Sequence, residues 1–495
     1  MSDTARDFFT SLVKNGNVKQ VLLGDNGEQI SNEEVAEVLG LLPDFNDKNV
    51  LELGSGAGRF TGVLSEKAQS LTAVDFLPEF ITANKARNGT KSNITFVESN
   101  VLELPKEQDK YDLAFSNVML AFLTDEQCRT LMSTLLGSLK EGSHFFFHEP
   151  CFNAGKRVHV TGDPTIYRDL ASYCALLQSC SIKTETGCNY GFELVFARSL
   201  QTYVKHERTL NQICFLAKKV RLADDYHGYK TFMEFLDGQQ YTRQGILRYE
   251  KIFGHHFVST GGIETTKEFL PMLNLQPGQK VLDVGVGIGG SAFLMVDDYD
   301  CEVLGIDLSG NMISIGIERV NEERAENTKV LFEVVDATKV QYPENEFDVI
   351  YSRDTILHIP DKHALFSSFL KWLKPGGKLL ITDYCCSDGT HSEQFQKYVK
   401  QRGYTLLSPA AYGKVLEEVG FVNVKAEDRT QMFVDVLKNE VAKTENIKDE
   451  FIKEFSESDY LYIVDGWKEK ITRASDNGNQ RWGLFYAEKS TCTKQ

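Results

Sequence analysis

The sequence predicts two α/β domains in tandem, each built on a mostly parallel sheet of seven strands with helices on both faces. The chain has 495 residues, more than the roughly 100–200 residues of one domain. With 42% hydrophobic residues it can bury substantial cores. Short apolar runs alternate with amphipathic stretches along the chain, and this alternation is typical of parallel βαβ units. An internal repeat indicates that the same unit occurs twice.

The repeat is clearest in a glycine-rich segment. "VLELGSGAGRF" begins at Val50 and "VLDVGVGIGGS" begins at Val281, an offset of 231 residues. The next apolar runs end in Asp75 and Asp307 at nearly the same offset, and "LKEGSHFFF" recurs later as "LKPGGKLLI". Features that recur in the same order and spacing indicate a duplicated domain.

The repeat sets the predicted domain limits. We predict an N-terminal domain over 1–222, a linker over 223–237 and a C-terminal domain over 238–490. The second copy carries an extra segment before its last strand, with charged and apolar faces at helical spacing. We predict that this segment, near 426–475, forms a helical lid over the carboxyl end of the sheet.

Composition excludes several functions. A net charge of −16 disfavours nucleic acid and anionic membrane, since both require a basic face. No apolar stretch approaches the ~20 residues of a membrane helix, and we expect no secretory signal. The ten cysteines show no CxxC spacing, which predicts neither disulfides nor a zinc site. We expect a cytoplasmic protein without metal, nucleic-acid partner or membrane insertion; its oligomeric state is open, and a monomer is compatible.

The glycine loops indicate the cofactor. In both copies an apolar strand reaches an acid, Glu52 or Asp283, two residues before a G-x-G-x-G loop. This spacing is typical of S-adenosylmethionine (SAM) sites and differs from the G-x-G-x-x-G expected under a pyrophosphate. Glycines there allow a tight turn and close approach of a ligand. The alternative is a doubly wound fold whose glycines are only structural.

Acids after the next strands support a SAM site. Asp75 and Asp307 end the second strands, where a carboxylate can accept hydrogen bonds from ribose hydroxyls. Asn100 and Asp336 follow the third strands and can meet the adenine amine. These features occur twice at matching spacing. They predict two class I SAM-methyltransferase domains with a Rossmann-like fold.

The stretch "YSRDTILHIP" carries a possible acid/base pair. Asp354 and His358 stand four residues apart after an apolar strand, so one helical turn would place them on the same side. Methylation of an amine needs its lone pair free, and such a pair can bind the ammonium and take its proton. Alternatively, Asp354 is an N-cap and His358 a core histidine.

Tyrosines and two cations indicate the substrate. "ITDYCC", "YVKQRGYTL" and "DGWKEKI" bring tyrosines together with Arg402 and Lys470. Arg, Lys and Tyr hydroxyls bind phosphate, and aromatic faces attract methylated ammonium. The pattern favours a small molecule with a phosphate at one end and an amine at the other. Half-buried packing of the tyrosines and a surface ion pair of Arg402 are the alternatives.

These motifs resemble a known family, the tandem-domain phosphoethanolamine N-methyltransferases of plants and animals. "FVSTGG", "YSRDTILHI", "LKPGGKLLITDYC", "YVKQRGYTL", "DGW" and "QRWGLF" are close matches to the family's second domain. The resemblance implies three successive SAM-dependent methylations of phosphoethanolamine to phosphocholine, without a metal. S-adenosylhomocysteine would be the second product, and phosphocholine would feed phosphatidylcholine synthesis.

The resemblance also implies site residues. The catalytic residues would be Tyr241, Asp354 and His358. The phosphobase contacts of the second domain would be Gln240, Tyr249, Tyr384, Tyr398, Arg402, Tyr404 and Lys470, with Arg353 shared. The cofactor contacts there would be Val258, Ser259, Gly285, Asp307, Leu308, Asp336, Ala337 and Arg353. In the first domain, cofactor contacts would be Gly54, Arg59, Asp75, Asn100, Val101 and Asn117.

The first copy departs from this pattern. Val118 and Phe122 stand where the second copy has Asp354 and His358. "DPTIYR" resembles the family's "NPTHYR" and implies Tyr167 and Arg168 as phosphate contacts. The first domain is therefore either a working methyltransferase with a different base or a non-catalytic SAM-binding domain. A SAM-dependent methyltransferase of another small molecule, such as a sterol, is the alternative for the whole chain.

Overall fold

A computed structural model describes residues 3–14, 27–105, 107–152, 163–185, 187–222, 228–324, 329–475 and 478–491. It divides into unit 1, Met1–Gln239 with Val320–Thr328, and unit 2, Gln240–Arg319 with Lys329–Gln495. Of the predicted linker 223–237, residues 223–227 lie outside the described residues. Phe232–Phe235 within it form a helix.

Unit 1 alternates strands and helices. Its elements are α1 Asp3–Lys14, α2 Gly27–Leu41, β1 Asn49–Leu53, α3 Arg59–Leu64, β2 Ser70–Asp75, α4 Pro78–Asn88, β3 Ile94–Glu98, β4 Tyr111–Asn117, α5 Asp125–Ser138, β5 Leu139–Pro150, α6 Leu170–Ser179, β6 Ser181–Lys183, β7 Asn189–Ser199, α7 Gln201–Glu207, β8 Gln212–Arg221 and α8 Phe232–Phe235. Its sheet has the order β3-β2-β1-β4-β5-β8-β7. β1 to β5 run parallel, β8 and β7 pair antiparallel, and the short β6 adds to β7.

Unit 2 repeats this order and adds helices before its last strand. Its elements are α9 Arg243–Phe253, α10 Gly262–Phe269, β9 Lys280–Val284, α11 Gly290–Tyr299, β10 Glu302–Asp307, α12 Gly310–Glu323, β11 Val330–Val335, β12 Phe347–Arg353, α13 Lys362–Trp372, β13 Leu373–Cys386, α14 Glu393–Arg402, α15 Pro409–Val419, β14 Val422–Asp428, α16 Thr430–Asn446, α17 Lys448–Glu454, α18 Glu457–Ser475 and β15 Gln480–Glu488. Its sheet has the order β11-β10-β9-β12-β13-β15-β14. Both units thus have the predicted α/β fold.

The sequence of the central strands explains their position. β9 and β12 are apolar and almost continuously buried, as expected of parallel strands that are covered on both faces. The carboxyl ends of β9, β10, β12 and β13 meet at one edge of the sheet. β15 runs antiparallel to β13, so the start of β15 reaches the same edge. This edge carries the glycine loop and the predicted catalytic pair.

The segment predicted as a lid is helical in the structure, and it begins later than predicted. β14 extends to Asp428, so the insertion begins at Thr430 rather than near 426. It consists of α16, α17 and α18 and ends at Ser475. In unit 1 the corresponding connection between β7 and β8 contains only α7. Among the described helices, none combines the length and apolar composition needed to cross a lipid bilayer.

Candidate active site

Both glycine loops adopt conformations that favour glycine. In unit 2, Gly285, Gly287 and Gly289 have φ values of 78°, 58° and 101°, in the left-handed region. Gly285 also has no room for a side chain, because a Cβ there would lie 2.0 Å from Thr355 Oγ1. The unit 1 loop has positive φ at Gly54, Gly56 and Gly58. Both loops are therefore shaped for close approach of a ligand to the backbone.

One carboxylate holds each loop. Asp307, the last residue of β10, accepts hydrogen bonds from Gly287 N at 3.1 Å and from the amide two residues after itself at 2.9 Å. Asp75, the last residue of β2, accepts from Gly56 N at 2.9 Å and from the corresponding amide at 3.0 Å. Burial raises the pKa of each carboxyl to about 6, so both are mostly ionised at neutral pH. The predicted ribose acceptors thus have the same geometry in both units.

The predicted adenine-edge residues also match between the units. Asn100 and Asp336 each accept a hydrogen bond from the amide two residues further on, at 3.2 Å and 2.9 Å. This bond fixes the turn that follows β3 or β11. The other predicted contacts lie next to these acids or in the loop before α10: Val101, Val258, Ser259, Leu308 and Ala337. Their contacts with the cofactor stay predictions.

Arg353 is tied into the protein rather than presented to a ligand. Its guanidinium donates to Thr260 O and Thr266 Oγ1, both at 2.7 Å, and to Thr265 Oγ1 at 2.9 Å. The residue is 5% exposed. It therefore anchors the loop and helix that carry Val258 and Ser259. The prediction that Arg353 contacts the ligands directly is not supported by this geometry.

Two predicted cofactor contacts of unit 1 also have protein partners. Arg59 forms an ion pair with the buried Glu34 at 2.6 Å. Asn117 Oδ1 lies 2.9 Å from His148 Nδ1. The pKa of Glu34 is lowered to about 2 because hydrogen bonding and charge from His148 and Arg59 outweigh its burial. These bonds stabilise the packing of unit 1. A direct contact of Arg59 or Asn117 with the cofactor stays a prediction.

The predicted catalytic pair lies on a tight turn rather than on an α-helix. Asp354 follows β12 with φ of 50°, and a 3₁₀ turn over Ile356–His358 comes next. The expectation of one helical turn between the two residues is therefore wrong. The N-cap alternative is also wrong, because Asp354 Oδ1 accepts from Trp482 Nε1 at 2.8 Å and from Thr382 Oγ1 at 3.2 Å.

The turn nevertheless brings three polar side chains together. Tyr241 Oη lies 3.3 Å from His358 Nε2. Desolvation, with the positive charges of Lys362 and Arg402, lowers the pKa of His358 to about 4, so its imidazole is neutral at neutral pH. Asp354 Oδ2 is buried and has no hydrogen-bond partner among the described residues. A neutral imidazole, a phenol and a carboxylate oxygen without a hydrogen bond are together suited to bind an amine and take its proton. We call these three side chains the amine end of the site.

The predicted phosphobase residues form one connected group. The Tyr404 ring is central, with centroids 5.1 Å from His358, 5.9 Å from Tyr398 and 6.5 Å from Tyr384. Lys470 Nζ lies 5.7 Å from the Tyr384 ring centroid. All five side chains are half-buried. Burial raises the pKa values of Tyr384 and Tyr404, so their hydroxyls remain protonated donors.

Two cations mark the other end of this group. Arg402 ends α14, and Gln240 Nε2 donates to its carbonyl at 3.1 Å. Burial, followed by the charge of Arg402, lowers the pKa of Lys470 to about 8. Trp467 links Lys470 to Tyr249, with Lys470 Nζ 4.4 Å from the Trp467 ring centroid and the Tyr249 centroid at 5.8 Å. Neighbouring cations repel each other, and a bound phosphate removes that repulsion.

Residues that the sequence reasoning missed support both ends. Glu440 of α16 accepts from Trp467 Nε1 at 2.6 Å and from Gly261 N at 2.7 Å, so it ties the lid to the loop before α10. Trp482 holds Asp354, from which it is separated by 128 residues. The motifs "DGW" and "QRWGLF" contain both tryptophans. Nothing in the local sequence pattern indicates what their indole nitrogens bind.

One of the two predicted phosphate contacts of unit 1, Arg168, is corrected. The Arg168 guanidinium donates to Leu120 O at 3.3 Å and Leu123 O at 2.5 Å, and pairs with Asp125 at 2.8 Å. The residue is 6% exposed. It stabilises the 3₁₀ turn over Leu120–Phe122 and is not presented to an anion. Tyr167 stands beside it, half-buried.

Comparison with known proteins gives consistent results. Two models, each described as a methyltransferase domain, match residues 50–142 and 255–426. The chain is 46% identical to phosphoethanolamine N-methyltransferase 1 of Arabidopsis thaliana over 96% of this chain and 95% of that protein. It is 47% identical to the enzyme of the same name from Triticum aestivum over 95% of this chain and 94% of that protein.

A solved structure is also similar. Phosphoethanolamine N-methyltransferase 2 of Haemonchus contortus, in complex with phosphomonomethylethanolamine and S-adenosylhomocysteine, superposes with a TM-score of 0.75 at 26% identity. The match covers 93% of this chain and 99% of that chain. The similarity therefore extends across both units.

Proposed function

Because this chain belongs to the phosphoethanolamine N-methyltransferase family, we propose that it methylates the amine of phosphoethanolamine and of its mono- and dimethyl forms, using SAM. Phosphocholine and S-adenosylhomocysteine are the products. One observation supports this most directly: unit 2 joins a two-cation end, Arg402 with Lys470, to an amine-handling end, His358 with Asp354 and Tyr241. A sterol offers no group for the two cations.

The amine end prepares the nucleophile. The substrate ammonium has to lose a proton before its nitrogen can attack. Asp354 Oδ2 accepts a hydrogen bond from the ammonium and fixes its position. The neutral His358 imidazole, with Tyr241 at Nε2, then takes the proton. SAM, when bound, would supply an electrophilic methyl carbon on its sulfonium, and S-adenosylhomocysteine would be the leaving group when the amine nitrogen attacks that carbon in line.

The phosphate end holds the substrate and adjusts the base. Arg402, Lys470 and the protonated tyrosine hydroxyls bind the phosphate oxygens. The phosphate dianion compensates the charge of Arg402, one of the cations that lower the pKa of His358. Substrate binding therefore offsets one of the smaller causes of the lowered pKa of His358, while burial, the largest cause, remains.

The cofactor is held by the loop of unit 2. Gly285 and Gly287 allow close approach of the amino acid end, and Asp307 accepts from the ribose. Asp336 lies at the adenine edge. These residue types and the left-handed backbone fit an adenosyl sulfonium.

Product analysis tests the function. Purified protein is incubated with SAM and each of the three phosphobases, and the products are identified by mass spectrometry. We expect mono-, di- and trimethylated products, with inhibition by phosphocholine. Absence of methylation of all three substrates would exclude the proposed activity.

Trp482 is expected to act through Asp354 as a positioning residue. Trp482→Phe keeps an aromatic ring against Phe269 and Phe433 but removes the bond to Asp354 Oδ1. Hydrogen bonds to charged groups contribute about 1.5–3 kcal/mol. We therefore expect kcat to fall at least about tenfold with little change in KM, measured by steady-state kinetics.

Trp372→Phe is the matched control. Trp372 is also fully buried, and its Nε1 has no hydrogen-bond partner among the described residues. Trp372→Phe removes the same atoms as Trp482→Phe, but it breaks no hydrogen bond to the site. Its kcat should therefore stay near the wild-type value after correction for the fraction of folded protein. Equal losses of kcat in both variants would show that Trp482 only fills space.

The alkaline limb of the pH profile is expected to report Lys470. The pKa of Lys470 is lowered to about 8, so its positive charge is present below pH 8 and lost above it. We expect kcat/KM for phosphoethanolamine to decline above pH 8, about tenfold per unit when the charged form is required. Lys470→Arg keeps its charge to much higher pH and should remove this decline up to pH 9.5. An identical alkaline limb in both proteins would contradict the assignment.

The proposed location is cytoplasmic. The described cysteines are free thiols, as expected in a reducing compartment. The acidic charge supports a small-molecule substrate and no nucleic-acid partner. Fractionation of the native protein with a cytosolic marker tests this assignment.

A further inference from the structure

We propose that unit 1 keeps an adenosyl-cofactor site but transfers no methyl group to phosphobases, because Phe9 of α1 closes the place that Tyr241 occupies in unit 2. The inference rests on the proposed function. It assigns all three methylations to unit 2 and makes unit 1 a binding site for SAM or S-adenosylhomocysteine.

Unit 1 keeps the backbone of the catalytic turn. Val118 stands at the place of Asp354 and has φ of 55°, against 50° in Asp354. A 3₁₀ turn follows in each unit, over Leu120–Phe122 and Ile356–His358. Positive φ is a genuine outlier for a β-branched residue. The fold therefore imposes this conformation even where the carboxylate is lost.

The groups that support the turn are kept as well. A buried cation binds the turn's carbonyls in each unit: Arg168 in unit 1 and Lys362, with Nζ bonds of 3.0 Å and 2.9 Å, in unit 2. A buried carboxylate binds its amides, Glu149 in unit 1 and Asp383 in unit 2. The backbone and the supporting groups of the turn are therefore the same in both units, and the differences at the turn lie in the reacting side chains.

Those reacting groups are replaced by phenylalanine and valine. Phe122 takes the place of His358. Phe9 lies edge-on to Phe122 with centroids 4.8 Å apart, as the Tyr241 ring lies edge-on to His358 with centroids 6.4 Å apart. No atom of Phe9, Val118 or Phe122 can accept a proton from an ammonium.

The replacement is a packed cluster. Phe9, Leu77, Phe80 and Phe122 are 8%, 2%, 9% and 9% exposed, with Val118 packed against them. Phe80 aligns with Met312, on which Tyr241 packs in unit 2. Phe80 and Met312 are thus a second pair of equivalent neighbours, and they also indicate that Phe9 corresponds to Tyr241. Burying an ammonium here would cost its hydration without a hydrogen bond in return.

The phosphate end of unit 1 has changed as well. In unit 2, Thr405 N donates to Leu357 O, and in unit 1, Ile166 N donates to Ala121 O, both at 2.7 Å. Because the two bonds are equivalent, the segment that contains Ile166 can be aligned with the segment that contains Thr405.

This alignment places a carboxylate where unit 2 has a cation. Asp163 stands at the place of Arg402, and Thr165 at the place of Tyr404. Asp163 Oδ1 accepts from Thr165 N at 3.0 Å. The connection between β7 and β8, described throughout, has only α7 and no counterpart of the helix that carries Lys470. Among the described residues, this place in unit 1 therefore has a carboxylate where unit 2 has a cation, and a carboxylate does not attract a phosphate.

The cofactor elements of unit 1 are retained. Asp75 binds the glycine loop of unit 1 as Asp307 binds that of unit 2. The three loop glycines keep positive φ. An adenosyl cofactor is recognised by these elements, which do not depend on the amine or phosphate ends.

A reciprocal pair of full-length variants tests the assignment of turnover. His358→Phe gives unit 2 the residue of unit 1, and Phe122→Leu changes the matched position of unit 1. Wild-type turnover of the three phosphobases is measured first and tests the proposed function by itself. We then expect His358→Phe to lose at least 100-fold with every phosphobase, and Phe122→Leu to stay within about twofold.

The outcomes are distinct. Methylation of phosphoethanolamine by His358→Phe at more than a tenth of the wild-type rate would overturn the proposal, because unit 1 would then perform the first step. A similar loss in Phe122→Leu, in protein with wild-type SAM stoichiometry and melting temperature, would overturn it as well.

Calorimetric titration with SAM tests the binding half. We expect two sites per chain in the wild type, two in His358→Phe and one in Asp75→Ala. One site in the wild type would show that unit 1 does not bind the cofactor.

Discussion

Replacing Asp354 with asparagine is expected to lower kcat for all three phosphobases about 100- to 1,000-fold. Asparagine has the same shape, tolerates the left-handed conformation at φ of 50° and still accepts the bond from Trp482. The change therefore removes the negative charge near the ammonium and little else. Steady-state kinetics measure kcat, and calorimetry should show unchanged SAM binding.

Asp361→Asn is the matched control. Asp361 is exposed, seven residues further on, and caps α13 through a bond from Ala364 N at 2.9 Å. Asparagine caps a helix about as well as aspartate, so turnover and melting temperature should stay at wild-type values. Unchanged kcat in Asp354→Asn would remove Asp354 from the mechanism.

Replacing Arg402 with alanine is expected to raise KM for phosphoethanolamine several hundred-fold. Loss of one partner of a hydrogen-bonded charge pair costs about 3–4 kcal/mol in such a partly buried site, and each 1.4 kcal/mol is a factor of ten. Removing the Arg402 charge also raises the pKa of His358, which that charge lowers. Turnover of bound substrate should therefore change much less than KM.

Lys400→Ala is the control for Arg402. Lys400 is exposed on the same helix, α14, two residues earlier. It removes one positive charge from the same region of the surface, so it accounts for long-range attraction of the anionic substrate. A KM increase of similar size in both variants would show that Arg402 does not contact the phosphate.

The sequence by itself determined the repeated fold and the cofactor loops. Their signals are local: alternating apolar runs produce parallel strands, and a glycine at each left-handed position shapes the loop. Asp75 and Asp307 are equally local, since each follows directly on its strand. The resemblance predicted the phosphobase residues, and the structure brings those predicted in unit 2 into one connected group.

Local patterns failed where a role depends on distant partners. The four-residue spacing of Asp354 and His358 indicated a helical turn, but β12 ends in a left-handed residue and a 3₁₀ turn. Arg168 matched a motif for phosphate, yet its guanidinium is used by the carbonyls of a turn more than forty residues earlier.

Only the tertiary structure decided which distant residues surround the predicted catalytic turn in each unit. Trp482 reaches Asp354 because β15 is antiparallel to β13 and starts at the edge where the parallel strands end. Phe9 lies against Phe122 although 113 residues separate them in the sequence. Such contacts follow from strand order and helix packing, which bring distant residues together without any local repeat to indicate it.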